Sequence, residues 1–208
     1  MTNNYQSNDV LIRLPKLGAL MLSLLLISCS IQASEELSES FIASELQRTE
    51  IDSDSVVRIP IDAPVDFVFD FLTRQLNQYV TNAVSVNFDH TSGISNDILG
   101  VGSHRIIIMD NGDKLVQRFL QYQRPFSFAY LTDMGKSTVE APLDYSIAKY
   151  VLKDAGDSRT LLKVAIVYKS STRLLAFFVR RAFNSALQRD FEKAAEVIKV
   201  AYQEDKVE

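Results

Sequence analysis

The strongest constraint sits near the end of the chain. From Arg173 to about Tyr202 there is neither glycine nor proline, so a helix can run there unbroken for many turns. At 100° per residue Phe183, Ala186, Leu187, Phe191, Ala194, Val197, Ile198 and Ala201 share one broad apolar face, which needs something to bury it. Strand signals precede it. Val84–Asp89, Gly102–Asp110, Lys114–Tyr122, Phe126–Thr132, Leu143–Lys153 and Thr160–Lys169 are rich in β-branched and aromatic residues and are separated by turn signals. Asn111-Gly112 reads as a hairpin turn because both residues tolerate positive φ, and Asp154-Ala155-Gly156-Asp157 turns the last pair. Consecutive hairpins make an antiparallel sheet, and a sheet must cover its apolar face. In the last strand Leu162, Val164, Ile166 and Tyr168 alternate with Leu161, Lys163, Ala165 and Lys169, so one face is buried and the other partly wet.

Ahead of this series Ser55–Ile61 reads as a first strand. Asp62-Ala63-Pro64 starts a helix, with Asp62 as cap and the proline in the first turn. Phe67, Val68, Phe71 and Leu72 form its apolar face, and a short helix or loop follows over Leu76–Asn82. The order predicts an α+β domain, residues 55–203, with a curved antiparallel sheet of about six to seven strands wrapped around the long C-terminal helix.

Three stretches carry a family resemblance: RIPIDAPVDFVFDFLT, GVGSHRIIIMDNGDKLVQRFLQYQRPFSFAYLTD and LKDAGDSRTLLKVAIVYK, the last just before the long helix. In order and spacing they resemble the SRPBCC superfamily (START-related, pollen-allergen-like) and within it the polyketide cyclase/dehydrase-like group. The resemblance implies a helix-grip fold with a deep apolar cavity between sheet and helix. It does not imply a reaction.

The N-terminus is of another kind. Arg13 and Lys16 precede the apolar run Leu17–Ile27, whose 11 residues are about half of the ~20 needed to span a bilayer. The run fits the apolar core of a secretory signal. Leu26-Ile27-Ser28-Cys29 then resembles the bacterial lipobox, which implies cleavage after residue 28 and lipidation of Cys29, the only cysteine. Two or more acyl chains anchor a protein stably. Residues 1–28 are thus read as a lipoprotein signal peptide, and the expected location is the cell envelope, lipid-anchored and facing the periplasm or exterior. Ser30, by analogy with lipoprotein sorting, favours the outer membrane where there are two. Ile31-Gln32-Ala33 as an ordinary cleavage site with secretion to the periplasm, an uncleaved short anchor, and an incidental apolar cysteine are the other readings. Residues 29–54 are rich in Ser, Glu and Asp and read as an acidic flexible tether. Within it Leu37–Leu46 is a candidate short helix, with Phe41 and Leu46 touching the domain.

Composition narrows the chemistry. The net charge of -4 without a basic block argues against nucleic acid. One cysteine and two separated histidines, His90 and His104, do not supply a usual metal set. Gly100-Val101-Gly102 lacks the rest of a phosphate loop, and no G-x-S-x-G elbow is present. No cofactor is expected. His104 and Arg105 are neighbours on a strand and point to opposite faces, so one of them is a candidate proton donor or oxyanion partner. The run Ile106–Met109 shows no alternation that would choose between them. Asp190 falls inside the apolar face of the terminal helix, where a carboxylate needs a partner: Arg105, Arg118, His104, a tyrosine hydroxyl or a ligand. It is the third catalytic candidate.

For ligand binding, Tyr150 and Tyr168 lie beside Ala148 and Ile166 on inward strand faces, opposite Phe183, Leu187, Asp190 and Phe191 of the helix. Small residues beside hydroxyls suit a cavity wall. The expectation is a membrane-tethered extracytoplasmic protein that binds a hydrophobic small molecule such as a lipid, quinone or polyketide-like compound. A cyclase, dehydratase or hydrolase using the same cavity is one alternative, disfavoured because no nucleophile–base pair is visible. An envelope interaction protein with a vestigial cavity is the other.

Overall fold

A computed structural model describes residues 37–93, 98–141, 143–171 and 176–206, without the side chains of 176–184 and 186. All fall within one compact unit, Ser34–Glu208. Cys29 and the signal-like segment lie outside the described residues.

The elements follow the order α1 (Glu39–Ile51), β1 (Ser55–Ile61), α2 (Val65–Arg74), a 3-10 turn (Leu76–Gln78), β2 (Ala83–Asp89), β3 (His104–Met109), β4 (Lys114–Gln123), β5 (Ser127–Asp133), β6 (Leu143–Asp154), β7 (Thr160–Ser170) and α3 (Ala176–Asp205). The seven strands form one sheet in the order β1-β7-β6-β5-β4-β3-β2, antiparallel throughout. The sheet curves around α3, as the strand series and the long helix predict. The hairpin between β3 and β4 turns at Gly112, whose φ is +87°, while Asn111 does not share that conformation. Gly102, just before β3, has φ +86°, and a Cβ there would stand 2.1 Å from the Ser92 carbonyl oxygen. Only glycine fits that approach.

The main core lies on the inner face. Val68, Phe69, Phe71 and Leu72 of α2 and Phe191, Ala194 and Ile198 of α3 pack against Ile59, Ile107, Phe119, Phe128, Tyr150, Leu162 and Val164 of the sheet. The inward stripe of α3 is narrow, spaced i, i+3, i+7 from Phe191. Asp62 does not cap α2. Pro64 takes that position without a side-chain bond, and the Asp62 carboxylate lies 3.8 Å from Lys199 of α3.

The larger difference is α1. Residues 39–51, placed by sequence within the tether with a candidate short helix over Leu37–Leu46, form a longer helix docked on the outer face over β6 and β7. Ser38 caps it, its Oγ accepting from the Phe41 amide at 3.3 Å. Ile42 packs in a second cluster with Leu131, Tyr145, Ile147 and Val167, with Leu37 and Leu46 beside it. Phe41 meets the Tyr145 ring edge-on at 5.5 Å. Buried Glu45 accepts from Arg48 Nη1 and from the Tyr145 hydroxyl, both at 2.8 Å. The acidic residues that make this stretch look solvated therefore tie it down: Glu39 pairs with Arg118 and Glu50 with Lys149. Composition does not show which acids have a cation waiting on the sheet.

Candidate functional site

One row across the inner face differs from the rest. Register pairs Tyr168 of β7 with Ser146 of β6, Ser146 with Thr132 of β5, Thr132 with Gln117 of β4, and Gln117 with Arg105 of β3. Residues directly opposite in antiparallel strands share a face. Five polar side chains thus cross a surface that is otherwise mostly apolar. The adjoining row is Ile166, Ala148, Tyr130 and Phe119, and the one beyond is Val164, Tyr150 and Phe128. Exposure rises along the polar row, from Arg105 at 1% through buried Gln117 and Thr132 to half-buried Ser146 and Tyr168. Thr132 and Ser146 make no side-chain hydrogen bond among the described residues.

Arg105 anchors the closed end. Its Nε and Nη2 donate to Gln117 Oε1 at 2.9 and 2.6 Å. Its Nη1 donates to the carbonyls of Leu72 and Thr73 at 2.9 and 3.0 Å. Its guanidinium carbon stands 5.4 Å from the Phe119 ring centre and 5.1 Å from that of Tyr130. No carboxylate pairs with it among the described residues. The charge is balanced by dipoles: the carbonyl end of α2, which carries partial negative charge, one amide oxygen, and two ring faces. Tyr79 joins the clamp, its hydroxyl donating to the same Leu72 carbonyl at 3.3 Å, and burial raises its pKa far above the usual phenol range. Arg105 thus faces inward but holds α2 to the sheet.

Behind the row the Tyr130 and Tyr150 hydroxyls are 3.0 Å apart. Burial, with Tyr130 close by, pushes Tyr150 well above its ordinary value, so its hydroxyl stays protonated near neutrality. The Tyr150 ring stacks on Phe128 at 4.3 Å and meets Phe191 at 5.8 Å.

The predicted residues separate into three groups. Tyr150, Ala148, Ile166 and Phe191 are buried members of the core, with Leu187 and Tyr168 packed at its margin. Tyr168 belongs to the polar row, while the Phe183 side chain lies outside the described residues. Asp190 does not belong to the inward set: it is exposed. It sits one residue before Phe191, and 100° of rotation carries it off a stripe narrower than the sequence pattern suggests. Its carboxylate needs no buried partner.

His104 is the remaining correction. It pairs in register with Arg118 and Asp89 on the outer face and so cannot serve the interior. It is 8% exposed, and neither ring nitrogen has a hydrogen-bond partner among the described residues. Burial, then Lys136, lowers its pKa, with Asp89 opposing and Arg118 and Asp133 acting weakly. His90, read as an exposed loop residue, stacks on Phe88 and sits 3.1 Å from Ser103 Oγ through Nδ1.

Sequence reasoning missed Gln117 and Thr132. Counting outward from the Asn111-Gly112 turn pairs Arg105 with Gln117, so that much was readable. The step to Thr132 passes through pairing between β4 and β5, which shifts register between Phe119 and Gln121. The polar row lies at the end of the sheet where α3 enters, since only residues 171–175 separate β7 from that helix. The Thr132 and Ser146 hydroxyls, without a hydrogen-bond partner among the described residues, can donate to or accept from a carbonyl or hydroxyl of a guest. No group of three His, Cys, Asp or Glu suited to a metal ion occurs among the described residues.

Neither a family model nor a curated protein matches the chain. Solved structures do. Ara h 8.0201 aligns at 12% identity over 69% of this chain and 94% of its own, with a TM-score of 0.51. The protein XoxI from Bacillus cereus aligns at 9% identity over 73% and 96%, with a TM-score of 0.53. A protein from Thermus thermophilus aligns at 11% identity over 73% and 97%, with a TM-score of 0.50. At such identities the likeness speaks for architecture alone, and with the strand order and the terminal helix it makes this chain a helix-grip protein.

Proposed function

We propose that the chain binds a hydrophobic small molecule on the inner face of the sheet, beneath the N-terminal half of α3. The observation that supports this is the polar row. Thr132 and Ser146 carry hydroxyls without protein partners among the described residues, beside a wall of aliphatic and aromatic groups. That combination orients a mostly apolar guest through one or two polar atoms. Capture without covalent change fits best, since among the described residues no acid–base pair meets at this row. Native mass spectrometry of the full-length chain, transferred from detergent, tests it. A small-molecule adduct that disappears on denaturation, and whose occupancy falls about tenfold (~1.4 kcal/mol) in Thr132→Val/Ser146→Ala, is expected. A chain that carries no adduct and takes up no quinone, lipid or aromatic polyketide would overturn it.

The close packing of Tyr150 favours a second reading, an interaction protein whose interior is filled. It predicts the adduct-free result.

We further propose that Cys29 is lipidated and holds the protein in the cell envelope, outer membrane if there are two. The support is the sequence alone: the apolar run and the lipobox-like Leu26–Cys29. No described helix is long and apolar enough to cross a membrane. The Cys29→Ser chain should accumulate as unprocessed precursor or soluble protein. Membrane-bound protein of mature size in that variant would sink the idea.

A further inference from the structure

The outer face of the sheet is divided. α1 covers one half, and the other is bare. Three rungs run across β1, β7 and β6: Pro60–Leu161–Lys153 and Arg58–Lys163–Val151 in the bare half, and Val56–Ala165–Lys149 at its border with α1, where Ala165 is buried. Four cations and five apolar or small residues share these positions, with no acid among them. Arg58, Lys153 and Lys163 form no ion pair among the described residues, while Lys149 pairs with Glu50 at the end of α1. The chain as a whole carries a net charge of -4, so this face runs against the overall sign. Large apolar side chains stand beside the cations: Leu161 is 51% exposed, Val56 40%, and Ile51, at the end of α1, 76%.

Edge protection accounts for part of this. β1 is an edge strand, and a charge and a proline on it discourage pairing with another chain. Lys153 needs another account, because β6 is paired on both sides. An acidic protein partner fits less well than a lipid surface. Two of the three unpaired cations are lysines, flexible point charges suited to a diffuse layer of phosphates, whereas fixed carboxylates favour the arginine fork. Exposed aliphatic side chains among basic ones are what the boundary of headgroup and acyl chain accepts.

We propose that this bare half of the outer face docks on an anionic bilayer, with Arg58, Lys153 and Lys163 against the phosphates and Leu161, Val56 and Ile51 entering the headgroup layer. The contact is separate from any lipid on Cys29. It turns the inner face of the sheet away from the bilayer.

The test uses the full chain carrying Cys29→Ser and Leu161→Cys, which moves the single thiol onto this face for an environment-sensitive dye. Vesicles of three parts phosphatidylcholine to one part phosphatidylglycerol should shift the dye emission to the blue. Half-molar salt should abolish the shift. Each cation near an anionic surface contributes about fivefold in partitioning, so Lys153→Glu/Lys163→Glu should weaken it by at least about 25-fold. Arg58→Glu, at an exposed position, provides a second variant should the first fail to fold. Arg189→Glu/Lys193→Glu on exposed positions of α3 changes net charge equally and should leave the shift intact. An equal response to pure phosphatidylcholine, an equal loss in the α3 variant, or no response to either vesicle overturns the proposal. Because Cys29 is absent throughout, these outcomes are independent of whether the native chain is lipidated.

Discussion

The two faces of the sheet handle buried polarity in opposite ways, and two adjacent residues show it. Arg105 turns inward and loses nearly all contact with water, yet four short hydrogen bonds to α2 and Gln117 satisfy it. His104 turns outward, is almost as buried, and has no partner on either nitrogen among the described residues. The inner face is closed in part by α2, whose carbonyl end supplies acceptors. The outer face beside His104 meets side chains of mixed sign and supplies none. A buried cation is thus tolerated where backbone dipoles converge, and a neutral imidazole is left unsatisfied where they do not.

Breaking the inner arrangement should cost most. Arg105→Ala leaves the Leu72 and Thr73 carbonyls and Gln117 without their donor, and about 3–5 kcal/mol should be lost in urea denaturation. Arg105→Lys should recover only part of that, since an ammonium cannot span the same fork. A loss near zero in the alanine variant would mean that α2 is held by packing alone.

On the outer face, Ile42→Ala should cost about 2–4 kcal/mol if α1 is an integral layer. Hydrogen exchange in residues 39–51 should then rise with global unfolding. Exchange at the same rate as an unstructured segment would restore the tether reading.

Tyr150→Phe tests the hydroxyl pair and should cost about 1–3 kcal/mol by leaving the Tyr130 hydroxyl unpaired. Tyr130→Phe/Tyr150→Phe should recover some of this, because no orphan remains.

His104→Leu should stabilise, by about 1 kcal/mol, as an unpartnered buried polar group is removed. The effect should depend on pH. The folded state lowers the imidazole pKa, so the unfolded chain takes up the proton first as pH falls. Stability is whole above the ordinary imidazole value of ~6.5 and declines below it, towards the lower folded pKa. The leucine variant should lack that part of the decline. An unchanged pH profile would show that His104 does not titrate in this range.

The smallest expected stability effect is at the polar row. Ser146→Ala should change stability by less than about 0.5 kcal/mol while lowering adduct occupancy. A large loss of stability would make the serine a structural residue.

Much of this architecture was legible in the chain. The six later strands, the glycine at the hairpin and the helix free of glycine and proline are local signals. Their order led to the sheet and its terminal helix without further information. Which of His104 and Arg105 points inward was not readable, because Ile106, Ile107 and Ile108 are apolar on both faces: Ile107 packs in the inner core, while Ile106 and Ile108 lie on the outer side. Asp190 misled for a related reason. Helical spacing says which residues adjoin on a helix, but not how wide a stripe the sheet covers.

What the sequence determined, then, is whatever short-range physics determines: turn geometry at Gly112, alternation along β7, and unbroken helix over α3. The tertiary structure alone decided the polar row, the clamp on α2 and the partners that Glu39, Glu45 and Glu50 of α1 find on the sheet. Each requires partners brought together by register across several strands or by a helix end packed on a sheet. The bulged pairings between β2 and β3, β4 and β5, and β6 and β7 shift the count in ways no local pattern records.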